Sequence, residues 1–106
     1  MDYRLIYTTC GSKKEARDIG GRLVKNRLAA CVNIFDGMNA IYMWDGQLQD
    51  DSQVVMIAKT TEERVEPVME EIRSLHSDEC PCILSLAISD GNPPFLAWIA
   101  EQVRAS

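Results

Sequence analysis

The chain has 106 residues, enough for one core and too few for a separate regulatory module, so 1–106 reads as a single domain. A composition of 46% hydrophobic and 25% charged residues excludes a disordered chain. With 11 Lys and Arg against 16 Asp and Glu, the net charge is −5, which disfavours nucleic acid and anionic membranes as partners and makes cations the natural counter-ligand.

Residues 3–9 (Tyr-Arg-Leu-Ile-Tyr-Thr-Thr) are rich in aromatic and β-branched types and predict a strand, which Cys10-Gly11 ends. Ser12 and Glu15 have the spacing of a capping box, and Ala16, Ile19, Leu23 and Val24 then recur at helical spacing, predicting an amphipathic helix over 12–27. Gly20 and Gly21 weaken that helix, and their presence predicts another backbone passing close by. From Leu28 the chain is apolar and β-prone, with a bulge expected at Phe35-Asp36-Gly37 and a hairpin turn at Asp45-Gly46. The two arms run about 13 to 17 residues each, against a usual strand of five or six. Such a hairpin overhangs a small domain and leaves strand edges, Tyr42 and Trp44 uncovered, so a second copy of the chain is expected to cover them. Thr60 or Thr61 is placed to cap a helix carrying Val65, Val68, Met69, Ile72 and Leu75 on one face, with Pro67 confined to its start. A strand over 82–89, a break at Asp90 to Pro94 and a helix from Phe95 to Val103 complete the chain. The fold class is α+β, a ferredoxin-like βαββαβ order with one added C-terminal helix.

The N-terminal segment leads straight into the first strand and lacks the pattern of a secretory signal, and no apolar run approaches the ~20 residues of a membrane-spanning helix. Cys10, Cys31, Cys80 and Cys82 are therefore expected as free thiols in a reducing cytoplasm. A Cys80–Cys82 disulfide would also be strained across one intervening residue. The sequence shows no nucleophile elbow, phosphate-cradling loop or His-Glu-x-x-His, and any Cys–His or Ser–His nucleophile must use the single histidine, His76, so the expectation is a protein without catalytic turnover. The densest set of metal-competent side chains is His76-Ser-Asp78-Glu79-Cys80-Pro-Cys82. His76, Cys80 and Cys82 are its candidate ligands, suited by softness to copper(I) or zinc. A plainer account has His76 finishing a helix while the cysteines act as small buried hydrophobes, and Cys10 and Cys31 read as unreactive core thiols. Tyr42, Trp44 and Trp98 are candidates to line a cleft between subunits.

Five stretches in order carry a resemblance: Arg27-Leu-Ala-Ala-Cys-Val-Asn33, Ile41-Tyr-Met-Trp-Asp-Gly46, Lys59-Thr60, His76 with Glu79 and Pro81, and Gly91-Asn-Pro-Pro-Phe-Leu-Ala-Trp98. Through them the chain resembles the CutA divalent-cation tolerance proteins over nearly its whole length. The resemblance implies a cytoplasmic homotrimer built on the long hairpin, and a link to copper and other divalent metals with no organic cofactor. It leaves as an alternative a PII-like signalling module that binds a small molecule or partner protein at clefts between subunits. One departure stands out: where the family usually reads His-Pro-Tyr-Glu-x-Pro-Glu, this chain reads His76-Ser-Asp-Glu-Cys-Pro-Cys82, placing a soft thiol where a hard carboxylate is usual.

Overall fold

The computed structural model describes residues 2–104. The element order is β1 (Tyr3–Cys10), α1 (Lys13–Lys25), β2 (Cys31–Trp44), β3 (Gln47–Thr61), a 3-10 turn (Glu62–Arg64), α2 (Val65–Leu75), β4 (Ile83–Ile88) and α3 (Pro93–Gln102). The strands form one antiparallel sheet in the order β2-β3-β1-β4.

Alternation along the strands sorts the sheet into two faces. Ile6, Thr8 and Cys10 point the same way as their partners Ala58, Met56 and Val54, and α1 and α2 close over this side with Ile19, Leu23, Val68 and Ile72. These side chains are the core. Leu5 and Tyr7 point the other way, with Leu86 and Leu84 of β4 paired opposite them. Helix α3 covers one end of that second face, where Ile99 and Val103 pack with Ala30 and Tyr3. Leu84 and Leu86 remain 57% and 48% exposed.

The hairpin has the expected length and turn. Asp45 and Gly46 both take positive φ, 52° and 75°, as a two-residue turn between right-twisted strands requires. The register slips between Phe35 and Met38, a bulge at the predicted place, with Gly37 at φ 74°. On β3, β1 pairs only with Val54–Thr61, so among the described residues the hairpin beyond the bulge has no third strand beside it. This arm stretches the molecule to 45 × 26 × 21 Å.

Three local expectations are corrected. A Cβ on Gly20 would meet the Val32 side chain at 3.0 Å and Met56 Sδ at 3.5 Å, while one on Gly21 would meet nothing within 4 Å. The close neighbour is a side chain of β2 rather than a backbone, and it concerns one glycine only. Neither threonine caps α2. Thr60 is buried and its hydroxyl donates to the Leu28 carbonyl at 2.6 Å, Thr61 makes no side-chain cap bond, and the chain enters the helix through the 3-10 turn with Pro67 in the first helical turn. Pro93 and Pro94 open α3 instead of preceding it, since a helix's first N–H groups have no intrahelical acceptor and proline forfeits nothing there.

Candidate metal centre

The end of the sheet where β1 runs out and α2 stops brings together residues far apart in sequence. His76 is the C-cap of α2, and its backbone N–H donates to the Ile72 carbonyl at 2.9 Å. Its side chain is 1% exposed. Nε2 lies 2.7 Å from the Thr9 carbonyl oxygen, which only accepts, so Nε2 carries the proton. Nδ1 is then the lone-pair nitrogen, and it accepts the Asp78 backbone N–H at 3.0 Å. The next residue of β1 is Cys10, buried, with a thiol pushed up to about 11 by burial and by the carboxylates of Glu15 and Asp78.

Glu15 comes from the first turn of α1. Ser12 Oγ accepts the Glu15 backbone N–H at 3.1 Å, the expected half of the capping box. The reciprocal half goes elsewhere. One carboxylate oxygen accepts Gly11 N–H at 3.1 Å and the other accepts Ser77 N–H at 2.8 Å, tying α1 to the loop after α2. Burial pushes the Glu15 carboxyl up, but the N–H groups of Ser77 and Gly11 and the nearby His76 outweigh it and hold it below its ordinary value.

Among the described residues, the metal-competent donors that converge are one atom each of Cys10, Glu15 and His76, all within 4.8 Å of one another. Cys80 and Cys82 do not join this group. They stand exposed on the loop between α2 and β4, where the Thr8 hydroxyl holds the Cys82 carbonyl, and all four cysteines are free thiols. The sequence reading found His76 but passed over Cys10 and Glu15. A capping-box glutamate and a strand-end cysteine carry no local sign of a histidine more than sixty positions away; the available signal was that Cys10 and Glu15 flank one strand–helix junction. A thiol, an imidazole and a carboxylate form a donor set that fits a zinc-class divalent ion.

Tyr42 and Trp44 lie on the overhanging hairpin, and the Tyr42 hydroxyl donates to Asp51, a contact that pushes the phenol pKa up. Trp98 lies on α3, stacked on Phe95 with centroids 5.5 Å apart, at the opposite end of β2. One chain does not bring the three into a common pocket. The cavities beside the helices are shallow; one of about 570 Å³ between α1 and α2 is lined by Glu15, Asp18 and Leu75.

The family described as CutA1 divalent ion tolerance protein matches residues 4–102. The chain belongs to the CutA1 family. It is 40% identical over 97 residues to the Protein CutA homolog of Xenopus laevis, a match covering 92% of this chain and 64% of that protein. It is 39% identical over 102 residues to the divalent-cation tolerance protein CutA of Archaeoglobus fulgidus, covering 96% of this chain and 99% of that one. The chain thus spans just under two thirds of the Xenopus protein and nearly all of the archaeal one. The crystal structure of CutA1 from Oryza sativa superposes with a TM-score of 0.96 at 30% identity, covering 100% of this chain and 97% of that one. The structure of the Archaeoglobus fulgidus protein, described as periplasmic, superposes with a TM-score of 0.93 at 38% identity, covering 96% and 99%. CutA1 membership makes this a divalent-cation tolerance protein by family.

Proposed function

We propose that this chain acts in the response to divalent metal ions, copper foremost and zinc next, by binding them without catalytic turnover, and that it does so as a cytoplasmic homotrimer on a ferredoxin-like subunit. The match of residues 4–102 to the divalent ion tolerance family carries this reading. The ion contact is assigned to the end of the molecule around His76, with Cys80 and Cys82 on the loop it anchors as the donors that the sequence singles out. Four free thiols fit a reducing compartment. The trimer is supported by the sheet face bearing Leu84 and Leu86 and by the hairpin bearing Trp44 and Leu48, which another copy would cover. In such an assembly Tyr42, Trp44 and Trp98 of different copies would meet at the junctions. The cation-tolerance matches favour metal response over a PII-like signalling role.

Thermal unfolding of the reduced protein with Zn(II), Co(II), Cu(I) or Mg(II) tests the binding. An ion held only by the folded state at about a hundred times its Kd stabilises by about 2.7 kcal/mol, several degrees in Tm. The thiophilic ions are expected to raise Tm and Mg(II) to leave it unchanged. No shift with any ion overturns the reading.

A further inference from the structure

We infer that Cys10, Glu15 and His76, with Asp78 at the mouth, form a binding site for one zinc-class divalent cation per chain. The inference rests on the metal-ion reading above and joins to His76 two ligands that the sequence did not single out, Cys10 and Glu15.

Three observations converge. The first is proximity: donor atoms of the three residues already lie within 4.8 Å of one another, drawn from the end of β1, the first turn of α1 and the end of α2. Metal–ligand bonds of about 2.0 to 2.3 Å bring tetrahedral donors to roughly 3.5 Å apart, so closure needs side-chain adjustment rather than a change of fold. The second is the orientation of His76. A metal-bound imidazole characteristically gives its other N–H to a carbonyl or carboxylate, which fixes the tautomer and leaves the remaining nitrogen free to coordinate. Here Nε2–H is committed to the Thr9 carbonyl at 2.7 Å, while Nδ1 accepts a single backbone N–H, that of Asp78, at 3.0 Å. That N–H belongs to an exposed loop residue and can turn to water when an ion takes its place. The third is the surrounding charge. The Asp78 carboxylate lies 3.9 Å from Nδ1 with its side chain 67% exposed, within reach as a fourth ligand from the solvent side.

Sulfur, nitrogen and carboxylate oxygen together suit Zn(II), Co(II) and Cd(II), and disfavour Mg(II) and Ca(II), which take oxygen ligands. Coordination by Cys10 forms the metal–sulfur bond and releases the thiol proton to solvent. Glu15 already holds its carboxylate with two N–H donors, so it enters the site oriented, with lone pairs to spare.

Cobalt(II) is the probe, because its thiolate complexes show a sulfur-to-metal charge-transfer band and tetrahedral sites show intense ligand-field bands. The full chain is titrated under a phosphine reductant as wild type, Cys10→Ser, Glu15→Gln, and a Cys31→Ser/Cys80→Ser/Cys82→Ser variant in which Cys10 is the only thiol. The expected result is one Co(II) per chain with both sets of bands in the wild type and the triple variant, and displacement by Zn(II). Cys10→Ser is expected to lose the charge-transfer band, and Glu15→Gln to weaken affinity at least tenfold while keeping it. If the triple variant does not fold, zinc protection of Cys10 against alkylation in the wild type, read by mass spectrometry, replaces it. A band that survives Cys10→Ser and vanishes in the triple variant moves the site to the other thiols, overturning this inference and leaving the proposed function standing. A wild type that binds neither Co(II) nor Zn(II), and shows no Tm shift with any ion, overturns both.

Discussion

Glu15 shows how much one side chain decides at this end of the fold. Its carboxylate joins Gly11 before α1 to Ser77 after α2, and both bonds are charge-assisted. Glu15→Gln keeps the size but puts an NH2 group against one of the two N–H donors, so with metal chelated it is expected to cost about 1.5 to 3 kcal/mol in urea unfolding. The pH dependence has a definite sign. The folded carboxyl titrates below its ordinary 4.5, so as acid is added the unfolded chain takes up this proton first. Its contribution is whole at neutral pH, falls below about pH 4.5, and is gone once the folded group is protonated. Wild type should therefore lose stability more steeply than Glu15→Gln in that range, and parallel acid limbs would refute the assignment. Ser12 and Glu15 were legible as a helix start because their spacing is local. The destination of the carboxylate was not, because Ser77 reaches it only through the packing of α1 against α2.

At the scale of the element, α1 separates two kinds of glycine that look alike in sequence. Gly20 faces the sheet, where a methyl group would stand 3.0 Å from Val32 Cγ1, a β-branched side chain with little freedom to yield. Gly21 is exposed and a methyl group there has open space. Gly21→Ala should thus gain the full helix-propensity difference of about 0.8 to 1 kcal/mol and raise Tm by a few degrees. Gly20→Ala spends the same gain on displacing Val32 and should be neutral or destabilising. Thermal unfolding of the two variants side by side checks this, and equal gains would show that Val32 moves freely. The hairpin behaves differently, since its bulge and turn rest on Gly37, Asp45 and Gly46, whose conformations are set by residues next to them. That is why its boundaries could be read ahead of the structure while the cap of α2 could not: Thr60 looks like a cap in sequence, but burial turns its hydroxyl to the Leu28 carbonyl.

For the whole molecule, the question is what covers the second face of the sheet. A Cα radius of gyration of 14.4 Å exceeds the ~13 Å of a compact chain of about 100 residues, and the excess lies in the hairpin beyond the bulge. β2 is also an edge strand of 14 residues, far longer than an edge left open to solvent in a well-behaved monomer. Trp44 at 67% and Leu48 at 70% exposed sit on the arm, and Leu84 and Leu86 share a face with Leu5 and Tyr7 on the sheet. Full burial of a leucine side chain is worth roughly 1.5 to 3 kcal/mol, and an unpaired carboxylate in its place adds a desolvation cost of several more. Closed rotational symmetry repeats each contact once per subunit, so one substitution acts at every junction. Leu84→Asp with Leu86→Asp should therefore weaken assembly by well over a thousandfold, while leaving the helix-covered core of Ile6, Met56 and Ile72 untouched. Sedimentation velocity at micromolar concentration is expected to give a trimer for the wild type and a monomer with native far-UV dichroism for the variant. A variant that sediments as the wild type does would place the contact elsewhere, and a monomeric wild type would leave this apolar face without the partner proposed for it.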